Sequence, residues 1–123
     1  MNFTSQIDNW YSKNKRDLPW RKNKDPYSVW LSEIILQQTK IQQGLPYYTK
    51  FIDKYPNVFS LASALEQDIL KLWEGLGYYS RARNLHKTAK IVALDFGGIF
   101  PTTFLELLKL PGIGKYTASA ISS

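Results

Sequence analysis

Cysteine is absent from this sequence of 123 residues, and histidine occurs only once, at His86. Without cysteine, the chain can form neither disulfides nor thiolate metal sites of its own. A single histidine also argues against a zinc site of the usual kind. No apolar run approaches the roughly 20 residues of a membrane-spanning helix, and the first residues lack the basic and apolar regions of a signal peptide. These absences favour a cytoplasmic protein that has no metal site and no membrane contact.

Positive charge and aromatic residues are both plentiful. Sixteen Lys and Arg face ten Asp and Glu, which gives a net charge of +6, and aromatic residues make up 15% of the chain. Basic charge favours polyanionic partners such as nucleic acid, and aromatic rings beside basic groups suit base stacking. An ordinary aromatic core on a generally basic protein would give the same composition. The length and the 44% hydrophobic content indicate one globular domain.

The spacing of apolar residues predicts an all-helical chain. No segment alternates apolar and polar residues as a strand would. Apolar residues recur at helical spacing in residues 1–15, and glycine and proline separate the segments that follow. The later predicted helices cover residues 26–38, 41–54, 60–63, 69–76, 79–94 and 104–110, and a last helix runs from Tyr116 onward.

The longest predicted helix, residues 79–94, carries two separate stripes. Its apolar stripe consists of Ala82, Leu85, Ala89 and Val92. Its basic stripe consists of Arg83, Lys87 and Lys90. Because His86 stands beside Lys87, we predict that it lies at the surface or contacts a phosphate.

Residues 107–118 (LLKLPGIGKYTA) form the most specific local pattern, two predicted helices joined by a tight turn. Gly112 and Gly114 permit that turn and the close approach of another backbone. The turn exposes amide groups at the start of the next helix, where the dipole favours a phosphate, and Lys115 adds positive charge. An ordinary turn between packed helices would also explain the glycines. The complete stretch, however, resembles the helix-hairpin-helix motif of DNA repair glycosylases.

Glu33 lies on a strongly apolar predicted helix. A carboxyl group in an apolar setting has a raised pKa and can act as a general acid near neutral pH. A solvent-facing glutamate on an amphipathic helix is the alternative. The next turn carries Gln37, Gln38 and Thr39, and adjacent amides suit hydrogen bonding in a DNA groove. A polar helix end would explain these residues equally well.

Residues 76–83 (LGYYSRAR) place aromatic and basic side chains at a corner made by glycine. Tyr78 at such a corner can wedge into a base stack, and Arg81 and Arg83 can hold phosphates. A helix start with two packing tyrosines is the alternative. Residues 16–21 (RDLPWR) place an aromatic ring between two arginines in a predicted loop, a pattern that by itself reads as structural.

Five segments of the chain together resemble the MutY-type adenine DNA glycosylases of the endonuclease III superfamily. These segments are residues 18–21 (LPWR), 26–33 (PYSVWLSE), 36–39 (LQQT), 75–85 (GLGYYSRARNL) and 110–114 (LPGIG). The resemblance implies an all-α helix-hairpin-helix glycosylase fold as a single module over residues 1–123. It also implies a helix-hairpin-helix at residues 107–121, and an N-terminal helix at residues 1–15 that packs against a second half.

The resemblance implies base excision repair of double-stranded DNA, by hydrolysis of the N-glycosidic bond of adenine mispaired with 8-oxoguanine or guanine. Such an enzyme would work in the bacterial cytoplasm, at the nucleoid. Glu33 would protonate N7 of the flipped adenine, and Tyr116 would lie close to the sugar carbon. The adenine pocket would include Arg16, Trp20, Arg21 and Leu36. DNA would be bound by Gln37, Gln38, Thr39, Tyr78, Arg81, Arg83, Gly112, Gly114 and Lys115.

One position separates the subfamilies of this superfamily. Its bifunctional glycosylase/lyases carry a nucleophilic lysine two residues after the second hairpin glycine. Tyr116 occupies that position here, and Lys115 comes one residue too early. Because a lysine amine is what forms the Schiff base, the resemblance implies a monofunctional glycosylase that leaves an abasic site.

Three features of the family would follow Ser123: the catalytic aspartate, the four cysteines of a [4Fe–4S] cluster and the domain that recognises 8-oxoguanine. We therefore expect an N-terminal fragment that is inactive or nearly so, binds DNA weakly and could self-associate through an exposed apolar face. Two alternatives stay open, a glycosylase for thymine in a G:T mismatch and a non-catalytic DNA-binding module. Glu33 favours the adenine enzyme, because thymine excision needs no such acid.

Overall fold

The structure is a computed structural model that describes residues 25–37 and 39–122. These residues form seven α-helices and no strand. The predicted all-α fold class is thereby confirmed for this part of the chain, and the helix predicted over residues 1–15 lies outside it. The helices are α1 (Pro26–Leu36), α2 (Ile41–Lys54), α3 (Val58–Ala62), α4 (Glu66–Trp73), α5 (Tyr79–Asp95), α6 (Phe104–Leu108) and α7 (Lys115–Ser122).

Helix α1 begins as predicted and ends early. Its first residue is Pro26, and Asp25 before it has extended backbone, which is the arrangement that proline favours at a helix start. The helix ends at Leu36 rather than at residue 38, because Gln37 leaves the helical region with φ −59° and ψ 122°. The chain therefore leaves the helix before Gln37 rather than after it.

Helix α3 begins two residues earlier than predicted, and α4 begins and ends three residues earlier than predicted, at Glu66 and Trp73. The side chain of Asn57 accepts a hydrogen bond from the amide of Ser60, and the Ser60 hydroxyl accepts one from the amide of Asn57. This reciprocal capping satisfies two amides that a helix start leaves without partners. The cap sets the start of α3 at Val58, where apolar spacing alone gave no signal.

The core lies between α5 and the helices that surround it. Helix α5 packs against α3 and α4, while α1 packs against α2 and α7. Aromatic rings join these layers: the Phe51 ring meets the Trp73 ring edge-on with centroids 6.0 Å apart, and Trp30 meets Phe100 at 5.2 Å. Among the described residues, no helix is both long and apolar enough to cross a membrane.

The two stripes of α5 lie where they were predicted, but His86 does not. All four apolar side chains are buried and all three basic ones are exposed. The surface prediction for His86 is wrong, since this residue is only 4% exposed. It stands one helical turn after Ala82 and therefore shares the buried face rather than the basic one. Burial, followed by the charge of Lys90, lowers the pKa of its imidazole.

Candidate active site and nucleic-acid interface

An open cavity of about 610 Å³ lies where the end of α1, the start of α5 and the start of α7 meet. Its lining residues come from three stretches of sequence that are far apart in the chain. They are Glu33, Leu36, Gln37, Tyr78, Ser80, Arg81, Gly114, Lys115, Tyr116 and Thr117. Apart from Ser80 and Thr117, every one of them was predicted as a site residue, so the fold brings together residues that the sequence had indicated separately.

Seven predicted site residues remain. Arg16, Trp20, Arg21 and Gln38 lie outside the described residues. The other three, Thr39, Arg83 and Gly112, are described and do not line the cavity. Thr39 is half-buried, and its hydroxyl donates to the carbonyl oxygen of Gln37 at 3.2 Å. Arg83 is exposed on α5, and Gly112 is exposed in the hairpin.

Helix α1 carries Glu33 to the cavity on a firmly anchored backbone. The helix buries one face that includes Trp30, Leu31, Ile34 and Ile35. Glu33 itself is half-buried at the cavity wall, between these core residues in sequence. Glu33 therefore has the apolar sequence neighbours that were predicted for it. Its role as a general acid stays a prediction.

The end of α1 is held by Arg81, although the sequence suggested a phosphate contact for this residue. Its Nη1 donates to the carbonyl oxygen of Ile34 at 3.1 Å and to that of Gln37 at 2.6 Å. The guanidinium also lies over the ring of Trp73, 5.3 Å from the centroid. Burial lowers the pKa of Arg81. Sequence reasoning missed these contacts because the carbonyl groups belong to residues more than forty positions earlier.

Tyr78 projects from a corner with left-handed backbone. Gly77 has φ 71°, and Tyr78 itself has φ 48° and ψ 61°. Left-handed backbone at a residue with a side chain costs on the order of 1–3 kcal/mol. The indole Nε1 of Trp73 supports the corner by donating to the carbonyl oxygen of Gly77 at 2.8 Å. As a result the Tyr78 ring is 70% exposed at the edge of the cavity.

The hairpin between α6 and α7 is fixed to α5 by close contacts. Gly112 has φ 75°, and a Cβ atom placed on it would lie 2.9 Å from the Cβ of Asn84. Glycine is therefore required there both by the backbone and by the approach to α5. The Thr88 hydroxyl donates to the carbonyl oxygen of Pro111 at 2.7 Å. A Cβ on Gly114, in contrast, would meet open space.

The first turn of α7 faces the cavity. The first amides of a helix have no partner within the helix, and they carry the positive end of the dipole. Lys115 is exposed beside them, and Tyr116 is 91% exposed. An anion that reached this turn would meet amides and an ammonium group together.

Thr117 joins α7 to α1 and is a site residue that the sequence analysis did not single out. Gln37 Nε2 donates to the Thr117 hydroxyl at 3.5 Å, and Thr117 is buried. Thr117 follows the exposed Tyr116 and precedes the buried Ala118. Its position on the predicted last helix could therefore have indicated that its side chain faces the interior. No group of three or more His, Cys, Asp or Glu side chains in residues 25–37 and 39–122 could hold a metal ion.

Known proteins resemble this chain in sequence, in fold or in both. Residues 31–121 match the family model described as HhH-GPD superfamily base excision DNA repair protein. The chain is 52% identical over 122 residues to the adenine DNA glycosylase of Buchnera aphidicola subsp. Baizongia pistaciae (strain Bp), which covers 98% of the chain and 35% of that relative. It is 43% identical over 130 residues to the Homo sapiens adenine DNA glycosylase, covering 98% of the chain and 24% of the relative. The chain thus spans about a third or less of these relatives.

Solved structures with the same fold include two DNA repair enzymes. A thermostable thymine-DNA glycosylase superposes with a TM-score of 0.79 at 34% identity, over 98% of this chain and 56% of that one. A non-covalent endonuclease III–DNA complex superposes with a TM-score of 0.74 at 20% identity, over 100% of this chain and 60% of that one. The predicted helix-hairpin-helix glycosylase fold and the resemblance to adenine DNA glycosylases are thereby confirmed. Because the family model matches well over half of the chain, the protein belongs to the HhH-GPD superfamily of base excision DNA repair proteins.

Proposed function

We propose that the protein is a monofunctional adenine DNA glycosylase that removes adenine mispaired with 8-oxoguanine or guanine. The observation that carries the proposal is the cavity that Glu33 of α1 lines together with Tyr116 in the first turn of α7. Relatives named adenine DNA glycosylase, at 43% and 52% identity, support the choice of base. An acid and an anion-binding turn on one cavity suit a base that is drawn out of a duplex.

The target adenine would leave the stack and enter the cavity. Extruding a base costs a few kcal/mol, and an aromatic side chain that wedges into the stack offsets part of that free energy. Tyr78 would take this role, and the exposure of its ring at the edge of the cavity supports the assignment. The amides around Gly112 and Gly114, with Lys115, would hold the neighbouring phosphate.

Glu33 would act as the general acid. It would transfer its proton to N7 of adenine, so that the C1′–N9 bond breaks with its electron pair remaining on the base. Water would then add to the cationic sugar carbon and give up a proton to the Glu33 carboxylate, which restores the acid and leaves an abasic site and free adenine. Leu36 lines the cavity beside Glu33, and we propose that Arg16, Trp20 and Arg21 complete the adenine pocket.

The reaction would stop at the abasic site. A lyase step needs an amine that forms a Schiff base with the sugar, and the residue two positions after Gly114 is Tyr116. A phenol cannot form that adduct. The chain has no cysteine, so its residues do not fit as ligands of an iron–sulfur cluster, and no step here depends on one. Work on genomic DNA would place the protein at the bacterial nucleoid.

The test is base release from duplex oligonucleotides with one central A:8-oxoG, A:G, A:T or G:T pair. We expect the full-length gene product to release adenine from the first two, with strand breaks only after alkali. Glu33→Gln should lower the single-turnover rate by about 10²–10⁴-fold, the range of general acid catalysis, and should still bind the duplex. Glu66→Gln, an exposed residue of α4 outside the cavity, is the matched control and should excise normally.

Three other outcomes would contradict the proposal. The similarity to a thermostable thymine-DNA glycosylase favours thymine as the second candidate base, and release from G:T without release from A:8-oxoG would establish it. If Glu33→Gln excised at the unaltered rate, Glu33 would not be the acid. Duplex binding without release of any base would indicate a non-catalytic helix-hairpin-helix module.

We also propose that the chain of 123 residues by itself is inactive or nearly so compared with a relative of full length. The Buchnera enzyme is the natural comparison, because this chain spans 35% of it at 52% identity. Equal single-turnover rates of the two proteins on the A:8-oxoG duplex would contradict this expectation.

A further inference from the structure

The C-terminal end of α1 needs a positive charge that its own sequence does not provide. Carbonyl groups in the last turn of a helix have no partner within the helix, and they carry the negative end of the dipole. The last turn of α1 contains no basic residue. Arg81 of α5 supplies the cation, since its Nη1 donates to the carbonyl oxygens of Ile34 and Gln37. Ile34 follows Glu33 directly, and Gln37 lies one turn beyond it.

Arg81 is itself held in place from a second side. Its guanidinium lies 5.3 Å from the centroid of the Trp73 ring and 5.8 Å from that of the Tyr78 ring. Trp73 is fully buried, and its indole also bonds the Gly77 carbonyl at the corner. A planar guanidinium stacks on aromatic rings while its edge donates hydrogen bonds. Arg81 therefore connects the helix end that carries Glu33 to the corner that carries Tyr78.

We propose that Arg81 is a positioning residue, which fixes Glu33 and Tyr78 relative to each other by clamping the end of α1, and that it does not bind phosphate. The inference rests on the proposed function, because it assumes that an extruded base enters the cavity between these two side chains. Arg81 is half-buried, its Nη1 donates to two protein carbonyls, and its Nε is buried without a hydrogen-bond partner. Burial also lowers its pKa, as expected of a guanidinium that has left bulk water.

The expected consequence is kinetic. A general acid works only within hydrogen-bond reach of the atom it protonates, and a shift of about 1 Å can lower the rate about 10²-fold. Lysine would keep the charge of Arg81 but lose the planar fork and the stacking surface. Arg81→Lys therefore separates the two roles, because a phosphate contact tolerates lysine, whereas an ammonium cannot stack flat on the Trp73 ring while it donates to the two carbonyls.

The experiment compares Arg81→Lys and Arg81→Met with Arg83→Lys and Arg83→Met. Arg83 is the matched comparison, since it is exposed on the same helix. Single-turnover excision from the A:8-oxoG duplex and duplex affinity as a function of salt are measured for each variant of the full-length gene product. We expect Arg81→Lys to lower the excision rate about 10²-fold with an unchanged salt slope. Arg83→Met should reduce the slope by about 0.9, the value of one phosphate contact, and Arg83→Lys should restore it.

Hydrogen exchange gives a readout that does not depend on activity. We expect faster amide exchange over residues 34–40 in Arg81→Lys than in the unaltered protein, and no change there in Arg83→Lys. Lys50→Met, an exposed residue of α2 outside the cavity, controls for the loss of one positive charge and should match the unaltered protein in excision and exchange.

Three results would overturn the inference. The first is a normal excision rate in Arg81→Lys, including a rate that stays normal while only thermal stability falls. The second is a salt slope that drops by about one in Arg81→Met. The third is unchanged exchange at the end of α1. If the unaltered protein released no base, the proposed function would fail, while the exchange and salt measurements would still decide the role of Arg81.

Discussion

Arg81 and Arg83 are two residues apart in α5, yet they have different surroundings. Arg81 is half-buried between the Trp73 ring and two backbone carbonyls, whereas Arg83 is exposed. With 3.6 residues per turn, positions i and i+2 point to nearly opposite sides of a helix. The residue type is the same, so helical phase decides which arginine builds the cavity and which adds charge to the surface.

The same division holds along the length of α5. Its inner face, defined by Arg81, Asn84, Leu85 and Thr88, contacts α1, the core and the hairpin. Its outer face, defined by Arg83, Lys87 and Lys90, is exposed. Helix α5 thus contacts both the C-terminal end of α1, the helix that carries Glu33, and the hairpin turn that is proposed to bind phosphate. Substitutions on the inner face should therefore change the stability of the fold and the geometry of the cavity, while substitutions on the outer face should change only the surface charge.

The largest expected contrast in stability is between Leu85 and Lys87. Leu85 is almost completely buried in the core cluster, so Leu85→Ala should lower the free energy of unfolding by about 2–5 kcal/mol through lost burial and the cavity left behind. Lys87→Ala on the outer face should change it by less than about 0.5 kcal/mol. Urea denaturation measures both. If both substitutions lowered the free energy of unfolding equally, the two faces would not differ in their contribution to stability.

A smaller contrast concerns two threonines. Thr88 is buried and donates to Pro111 of the hairpin, whereas Thr49 is exposed and donates to Leu45 within its own helix. Thr88→Val should lower the free energy of unfolding by about 0.5–1.5 kcal/mol, the net value of one hydrogen bond. Thr49→Val should lower it by less. If the order were reversed, the Thr88 bond would not hold the hairpin.

The smallest expected effect is a pH dependence that comes from His86. Burial first, and then Lys90, lower its pKa, while backbone groups of Ala62 and Ala64 and the charge of Glu66 act in the opposite direction. The folded pKa lies below the unfolded value of about 6.5, so the unfolded chain binds the proton first. The contribution of His86 to the free energy of unfolding is therefore complete above about pH 6.5 and is lost as the pH falls from that value through the folded pKa.

This pH dependence is measured as the urea midpoint at pH 7.5 and at pH 5.5. The decrease toward pH 5.5 should be larger in the unaltered protein than in His86→Gln, which removes the titrating group. An identical decrease in both proteins would place the dependence on other groups and leave His86 on the inner side of α5 without electrostatic effect.

Local signals were enough to predict the elements. Pro26 begins α1, and Gly75 and Gly77 follow the end of α4, because their backbone preferences do not depend on partners. Gly44 and Pro46, in contrast, lie inside α2. The start of α3 was misplaced because its cap depends on the particular pair Asn57 and Ser60. The grouping of Glu33 with Tyr116 came from resemblance to a family, since no spacing rule connects residues more than eighty positions apart.

Local sequence is enough to predict that residues 25–37 and 39–122 are helical, where most of their helices begin and end, and that the hairpin carries two glycines and a lysine. These properties follow from φ, ψ and charge within a few residues. Which basic groups face inward depends on the packing of the helices. Arg81 is turned toward the carbonyls of α1 and His86 is buried, because packing of α5 against α3 and α4 selects one side of the helix. That choice depends on partners distant in sequence, whose positions no local pattern contains.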